Sequence, residues 1–148
     1  MCSNKINDPL LDMSCELIIE EKVKSNGDLC DKLLNDVRFM TDETRESILA
    51  AMFRMHKYFE EECGDLDVSL NSPKEIPDNT ESWYVILDES STQQDRIIRY
   101  HYKANWETSH GVEVIVVNSN ELIYVGNCGY VSSVGDISTF KEEGFNFV

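Results

Sequence analysis

The sequence predicts an α+β fold in which N-terminal helices pack on a C-terminal antiparallel β-meander of about four strands. Two observations favour this class: apolar residues recur every three or four positions in the first half of the chain, and every second position in the second half. The 148 residues, 41% of them hydrophobic and 28% charged, have the composition of one globular domain. We therefore expect a mobile leader at residues 1–15 and a single α+β domain at residues 16–148.

Two helices are predicted in the first half of the chain. The apolar residues of the first helix recur at spacings of four, four and three: Leu29, Leu33, Val37 and Met40. Thr41 is the expected N-cap of a longer helix, which has acidic residues in its first turn and ends at Gly64. The apolar row of this longer helix is Ile48, Met52, Met55 and Phe59. Ahead of both helices, the apolar segment 17–19 fits either an edge strand or a helical turn.

Four strands follow a polar, proline-containing connection. They are predicted near residues 83–87, 96–103, 112–117 and 121–125. The last two should form a hairpin, because residues 118–120 are of types that tolerate a positive φ. A short last helix is expected to end at Gly144.

Basic side chains alternate with apolar ones along the second predicted strand: Arg99, His101 and Lys103. This alternation predicts that one face of the strand is open to water. On that face the basic groups bind an anion, pair with acids of the neighbouring strand such as Glu113, or stay solvated. We favour pairing or solvation over an anion site.

The chain is strongly acidic. It has 28 acidic and 13 basic residues, which give a net charge of −15 and a sequence pI near 4.4. Such a surface repels nucleic acid, whose binding depends on cationic side chains that displace counterions. It attracts a basic protein instead, although the same charge can also serve solubility alone.

No apolar run approaches the ~18 residues that a membrane helix needs, and the N-terminus lacks the pattern of a secretion signal. We therefore expect a cytoplasmic protein that does not bind a membrane. The five cysteines are widely spaced and include no Cys-x-x-Cys pair, which is typical of reduced thiols. The sequence also lacks phosphate-binding glycine motifs, so we expect no nucleotide cofactor. We expect no other cofactor and no metal site.

One set of residues has the types that a cysteine hydrolase needs. Cys128, in a glycine-flanked turn, is a candidate nucleophile, His110 a candidate base and Glu107 a candidate orienting acid. No local motif supports this combination, and we expect the protein not to be an enzyme.

The segment between the second and third predicted strands reads Trp106-Glu107-x-x-His110-Gly111. With the hydrophobic hairpin that follows, it resembles a family of small, acidic, uncharacterised bacterial proteins that read Trp-Asp-x-x-His-Gly at this place. The resemblance covers residues 82–126, with a looser likeness in the long helix. It implies an α+β domain without an established enzymatic activity. Some members are immunity proteins of polymorphic or contact-dependent toxins, which implies the same role here.

Charge and resemblance together predict an immunity protein that binds and neutralises a cognate toxin domain, a basic nuclease, through an acidic surface. The expected contacts lie at the end of the long helix and in the loop after the first strand of the meander: Glu60, Glu61, Glu62, Asp65, Asp67, Asp88 and Glu89. The alternatives are an intracellular regulatory or adaptor module and the Cys-His hydrolase. The sequence does not determine the oligomeric state.

Overall fold

The computed structural model describes residues 4–64, 68–129 and 146–148. Its elements, in chain order, are β1 (Lys5–Asp8), β2 (Met13–Ile19), α1 (Glu21–Lys24), α2 (Gly27–Arg38), α3 (Asp42–Cys63), two short 3-10 helices (Pro73–Glu75 and Pro77–Asn79), β3 (Thr80–Leu87), β4 (Ile97–Ala104), β5 (Glu107–Val117) and β6 (Glu121–Asn127). The α+β class is confirmed. The helices lie between β2 and β3 instead of at the N-terminus, and six strands replace the expected four. The helix expected to end at Gly144 lies outside the described residues.

The strands form one mixed sheet in the order β1-β2-β3-β4-β5-β6. The pairs β3–β4, β4–β5 and β5–β6 are antiparallel and form the predicted meander. Strand β2 pairs antiparallel with β1 but parallel with β3. Two parallel neighbours need a long crossover connection. Here that connection contains the three α-helices. Within the described ranges, no helix combines the length and hydropathy needed to cross a membrane.

The segment expected as a leader contributes β1 and the start of β2 to the sheet. The buried carboxylate of Asp8 holds the turn between these strands in place. It accepts hydrogen bonds from the backbone N–H of Leu11 at 3.1 Å, from Ser82 Oγ at 2.7 Å and from Tyr102 Oη at 2.9 Å. Burial raises the pKa of Asp8 above its usual value. The sequence did not reveal β1 because a four-residue edge strand is too short for a clear alternation.

The main core lies between the sheet and the helices. The predicted apolar rows of α2 and α3 face it, and the buried members of these rows are Leu29, Leu33, Val37, Ile48, Met52 and Met55. From the sheet, Tyr100 and Tyr102 project into the same core. On the other face, a second buried cluster of five apolar side chains lies on β4, β5 and β6. The face of β4 that the sequence predicts to be open to water is therefore apolar and buried at the start of the strand.

The hairpin turn between β5 and β6 caps the long helix. Thr41 accepts a hydrogen bond from the backbone N–H of Thr44, as predicted for an N-cap. The side-chain oxygen of Asn120 accepts further bonds from Thr41 N and Thr44 Oγ1, both at 2.8 Å. At the other end, Gly64 follows the last helical residue with a φ of +76°, which confirms the expected C-cap.

Gly111 provides a test of close packing. Its φ of +73° is unfavourable for other residues, and a Cβ atom there would lie 2.8 Å from the carbonyl oxygen of Tyr102. We expect Gly111→Ala to lower the free energy of unfolding by at least about 1–2 kcal/mol, measured by urea denaturation. Gly27→Ala is the control, because that position has open space and is helical. Equal stability of the two variants would contradict this account.

Candidate functional site

Trp106 fixes the segment between β4 and β5 to the helical layer. Its indole is buried and meets the imidazole of His56, in α3, edge to face with ring centroids 5.6 Å apart. The indole Nε1 and His56 Nδ1 have no hydrogen-bond partner within the described residues. The edge-to-face geometry brings a ring edge of one side chain against the π face of the other, a favourable arrangement for aromatic pairs. The first residue of the motif is thus part of the core.

The next residue, Glu107, organises the rest of the motif. Its Oε1 accepts hydrogen bonds from the backbone N–H groups of Ser109 at 3.0 Å and His110 at 3.3 Å. The same oxygen lies 3.5 Å from Nδ1 of His110. Within the described residues, the second oxygen, Oε2, makes no hydrogen bond. The Glu107 side chain is 13% exposed and that of His110 is 61% exposed, so the imidazole projects into solvent.

Beside this loop lies a cavity of about 450 Å³, which we call the motif cavity. Its charged and aromatic lining comprises Glu81, Trp83, Lys103, Glu107 and His110. A register shift between β3 and β4 occurs at Trp83, and 38% of this residue is exposed. The ammonium of Lys103 lies over the indole, 4.9 Å from its centroid. No local pattern in the sequence indicates a role for Trp83, because its contact with Lys103 depends on the register shift.

Three of the expected contact residues form the last turns of α3. Glu60 is half-buried, and its carboxylate accepts hydrogen bonds from Ser69 and Lys57, which lower its pKa. Glu61 and Glu62 are exposed. The last turn of α3 contains no basic residue that would offset these charges at the negative end of the helix dipole. Asp65 and Asp67 lie outside the described residues.

The acidic end of α3 and the motif cavity lie at the same end of the molecule, which we call the motif end. His56 of α3 contacts Trp106. Glu61 and Glu62 follow His56 by only about 8–9 Å along the helix axis, so they lie close to the motif segment. The start of β3 is also here, since Thr80 pairs with Ala104. The described acidic residues of the motif end are Glu60, Glu61, Glu62, Asp78, Glu81 and Glu107.

Asp88 and Glu89 do not belong to this surface. They follow Leu87, the last residue of β3, which lies roughly 23 Å from Thr80 along the extended strand. Asp88 is only 2% exposed. Its carboxylate accepts a hydrogen bond from Ser90 N at 2.7 Å and lies 3.5 Å from the Arg99 guanidinium. The expectation that Asp88 contacts a partner is therefore wrong: its carboxylate holds the turn after β3. Glu89 is exposed but stands apart from the motif end.

The basic residues Arg99 and His101 pair with Glu113, as favoured from the sequence. Glu113 is fully buried, and its Oε2 accepts bonds from Arg99 Nη2 at 2.8 Å and Arg99 Nε at 3.0 Å. The same oxygen lies 2.5 Å from His101 Nε2. This cross-strand group neutralises a carboxylate that would be costly to bury alone. Arg99 and His101 are thus engaged with a carboxylate, which disfavours an anion site on this strand.

The hydrolase residues are not assembled. The Cys128 sulfur packs against Gly111, 3.5 Å from where a Cβ would lie, whereas His110 projects into solvent. Burial, with a smaller contribution from the Glu113 charge, raises the pKa of the Cys128 thiol to about 12. Such a thiol stays protonated at neutral pH and is a poor nucleophile. In the part of the chain that the structure describes, no hydrogen bond joins Cys128 to His110, and no cluster of side chains fits a metal ion.

We expect an alkylating reagent to reveal this difference between thiols. Cys63 is exposed and should react first, whereas Cys128 should react at least roughly a hundredfold more slowly in the folded protein. Peptide mass spectrometry after timed quenching separates the sites, and labelling in urea provides the fully reactive reference. Preferential labelling of Cys128 in the folded protein would restore the hydrolase hypothesis.

His56 makes the stability of the motif end dependent on pH. It is fully buried, and its Nε2 accepts a hydrogen bond from Leu70 N at 3.1 Å, which assigns the proton of the neutral ring to Nδ1. Burial lowers the pKa of His56, and the attraction of Glu60 only partly opposes this effect. The unfolded chain therefore takes up a proton at a higher pH than the folded protein does.

Since unfolded histidine titrates near pH 6.5, the contribution of His56 to stability is present above about pH 6.5 and is lost as the pH falls below that value. We expect His56→Gln, which keeps an acceptor for Leu70 N, to show a shallower loss of unfolding free energy between pH 7.5 and 5.5. Urea denaturation across this range measures the slope. Parallel slopes for His56→Gln and wild type would exclude His56 as the titrating group.

The sequence matches one protein family, described as "Domain of unknown function (DUF6985)", over residues 2–131. The matched range includes all six strands, the three α-helices and the motif segment. No curated protein and no solved structure was found to match the chain. Because the match spans most of the 148 residues, the protein belongs to the DUF6985 family of domains of unknown function.

Proposed function

We propose that this protein is a cytoplasmic immunity protein, which binds and neutralises a cognate bacterial toxin domain, a basic nuclease, through the acidic surface of the motif end. The excess of exposed carboxylates carries the proposal. Among the described residues, fourteen acidic side chains are exposed against eight basic ones. A surface with this imbalance attracts a cationic protein over distances of about a Debye length, roughly 8 Å at physiological ionic strength.

The described cations offset only part of this charge, and several of them already pair with acidic residues of the chain. Lys57 donates to Glu60 at 3.3 Å, and Lys32 lies 3.5 Å from Asp28. Lys103 is held over Trp83 at the motif cavity. At the motif end, exposed acidic residues such as Glu61, Glu62 and Glu81 surround few cations, among them Lys57 and Lys103. The local surface therefore remains negative.

The end of α3 is the best-suited part of this surface. Glu61 and Glu62 lie in the last turn, where the carbonyl end of the helix dipole is also negative. Lysine or arginine side chains of a partner would reduce the repulsion between the two carboxylates and the repulsion between these carboxylates and the helix dipole. A nuclease carries such side chains where it binds the phosphates of its substrate. An inhibitor with a concentrated negative surface is therefore complementary to the region that it has to cover.

Two further points support the proposal. The motif segment resembles that of acidic bacterial proteins which include toxin immunity proteins, and the motif lies at the end of the molecule where acidic side chains gather. The hydrolase alternative requires an activated thiol, whereas burial raises the pKa of Cys128 to about 12. The adaptor alternative has no feature of its own in the structure, and the experiment below separates it from immunity.

Reversal of two charges at the end of α3 should slow binding without loss of stability. We expect Glu61→Lys with Glu62→Lys to lower the association rate for the purified toxin domain roughly tenfold at low salt, and to flatten its dependence on salt. The same change places cations at the helix C-terminus, so the unfolding free energy should stay equal or rise by about 0.3–1 kcal/mol. Stopped-flow fluorescence and urea denaturation measure the two effects.

The matched control is Asp31→Lys with Glu46→Lys, which makes the same change in net charge at exposed helical positions away from the motif end. It should slow association much less. The toxin domain to be tested is the C-terminal region of the protein that the adjacent open reading frame encodes. Co-expression of the wild-type chain with this region should restore growth of a bacterial host. Failure to restore growth would overturn the proposed function. Equal effects of the two double variants would remove the motif end as the contact surface.

A further inference from the structure

We infer that the motif cavity receives an arginine side chain of the cationic partner, which stacks on Trp83 and pairs with Glu107. This inference rests on the proposed function, because it names the contact by which the partner is recognised. The cavity, about 450 Å³ in volume, falls in the range of roughly 300–1,000 Å³ that is typical of binding pockets. It also lies at the same end of the molecule as the acidic turn of α3.

The indole of Trp83 is a ring face that already attracts a cation. Lys103 places its ammonium 4.9 Å from the ring centroid, within the distance at which cation–π attraction acts. Lys103 is an exposed residue and no hydrogen bond of its ammonium is present within the described residues. Its long side chain can therefore move into solvent and leave the ring to an incoming cation.

Glu107 supplies the charge that would hold a guanidinium. Its Oε1 is occupied by the backbone N–H groups of Ser109 and His110, which fix the side chain in one position. Its Oε2 has no hydrogen bond within the described residues and is left for a ligand. Glu81 adds a second carboxylate to the lining. A carboxylate that is held in place in this way loses little conformational entropy when it accepts a charged donor.

Arginine fits these groups better than the other charged ligands do. Its planar guanidinium stacks on an aromatic ring while its N–H groups donate to a carboxylate, whereas the compact ammonium of lysine gives no planar stack. A phosphate would meet the two carboxylates of the lining and be repelled. The inference therefore commits to an arginine of a protein partner.

The test is a titration of the ¹⁵N-labelled full chain, followed by NMR, with N-acetyl-arginine amide. N-acetyl-citrulline amide, which has nearly the same shape without the charge, is the control ligand. We expect the indole N–H signal of Trp83 to shift and saturate at millimolar arginine derivative, and to stay in place with the citrulline derivative. The signal of the buried Trp106 is the internal reference and should not move. An unmoved Trp83 signal would overturn the inference.

Two variants separate binding from a general effect on structure. Glu107→Gln keeps the Oε1 acceptor of the loop but removes the charge, and should weaken binding about tenfold. Lys103→Thr removes the competing ammonium and should tighten binding roughly three- to fivefold. Glu121→Gln, an exposed change on β6, should leave it unchanged. A Lys103→Thr variant that binds no tighter, with its unfolding free energy intact, would contradict the competition on which the inference depends.

The outcomes for this inference and for the proposed function are distinct. If the toxin domain binds and growth is restored, but Glu107→Gln and Trp83→Leu bind the toxin domain as wild type does, the inference fails and the proposed function stands. If the arginine derivative binds as expected while growth is not restored, the arginine site stands and the immunity role fails.

Discussion

The parallel pairing of β2 with β3 determines where the helices lie. Two parallel neighbours cannot be joined by a tight turn, so the chain leaves the sheet after β2 and returns to it only at β3. The three helices form along this path and cover one face of the sheet. The long helix then ends beside Trp106, and that contact brings the acidic turn and the motif segment to one end of the molecule.

The acidic residues have two physical roles that composition cannot separate. Asp8, Asp36 and Glu113 are buried, and each accepts several hydrogen bonds that join distant parts of the chain. Asp36, for example, accepts bonds from Arg96 at 2.6 Å and from Ser119 at 2.7 Å, which link α2 to the sheet. These carboxylates stabilise the fold because their partners replace lost hydration. Only the exposed remainder is available for the contact surface that we propose.

The motif joins core and surface within two consecutive residues. Trp106 is buried against the helical layer, and Glu107 faces the motif cavity beside Trp83. Trp106 lies in the turn before β5 and Glu107 is the first residue of this strand, so the contact that anchors the indole also positions the carboxylate. The packing of Trp106 against His56 therefore joins the segment beside the motif cavity to α3.

Elements with local signals could be predicted from the amino-acid sequence. The N-cap at Thr41, the apolar row of α3 and the strands β3 to β6 depend on residues within a few positions of one another, and the structure contains all of them. The parallel register of β2, the burial of Asp88 and the contact of Trp83 with Lys103 could be known only from the folded chain. These features depend on residues far apart in the chain, and no local pattern specifies which distant side chains will pack together and bury one another.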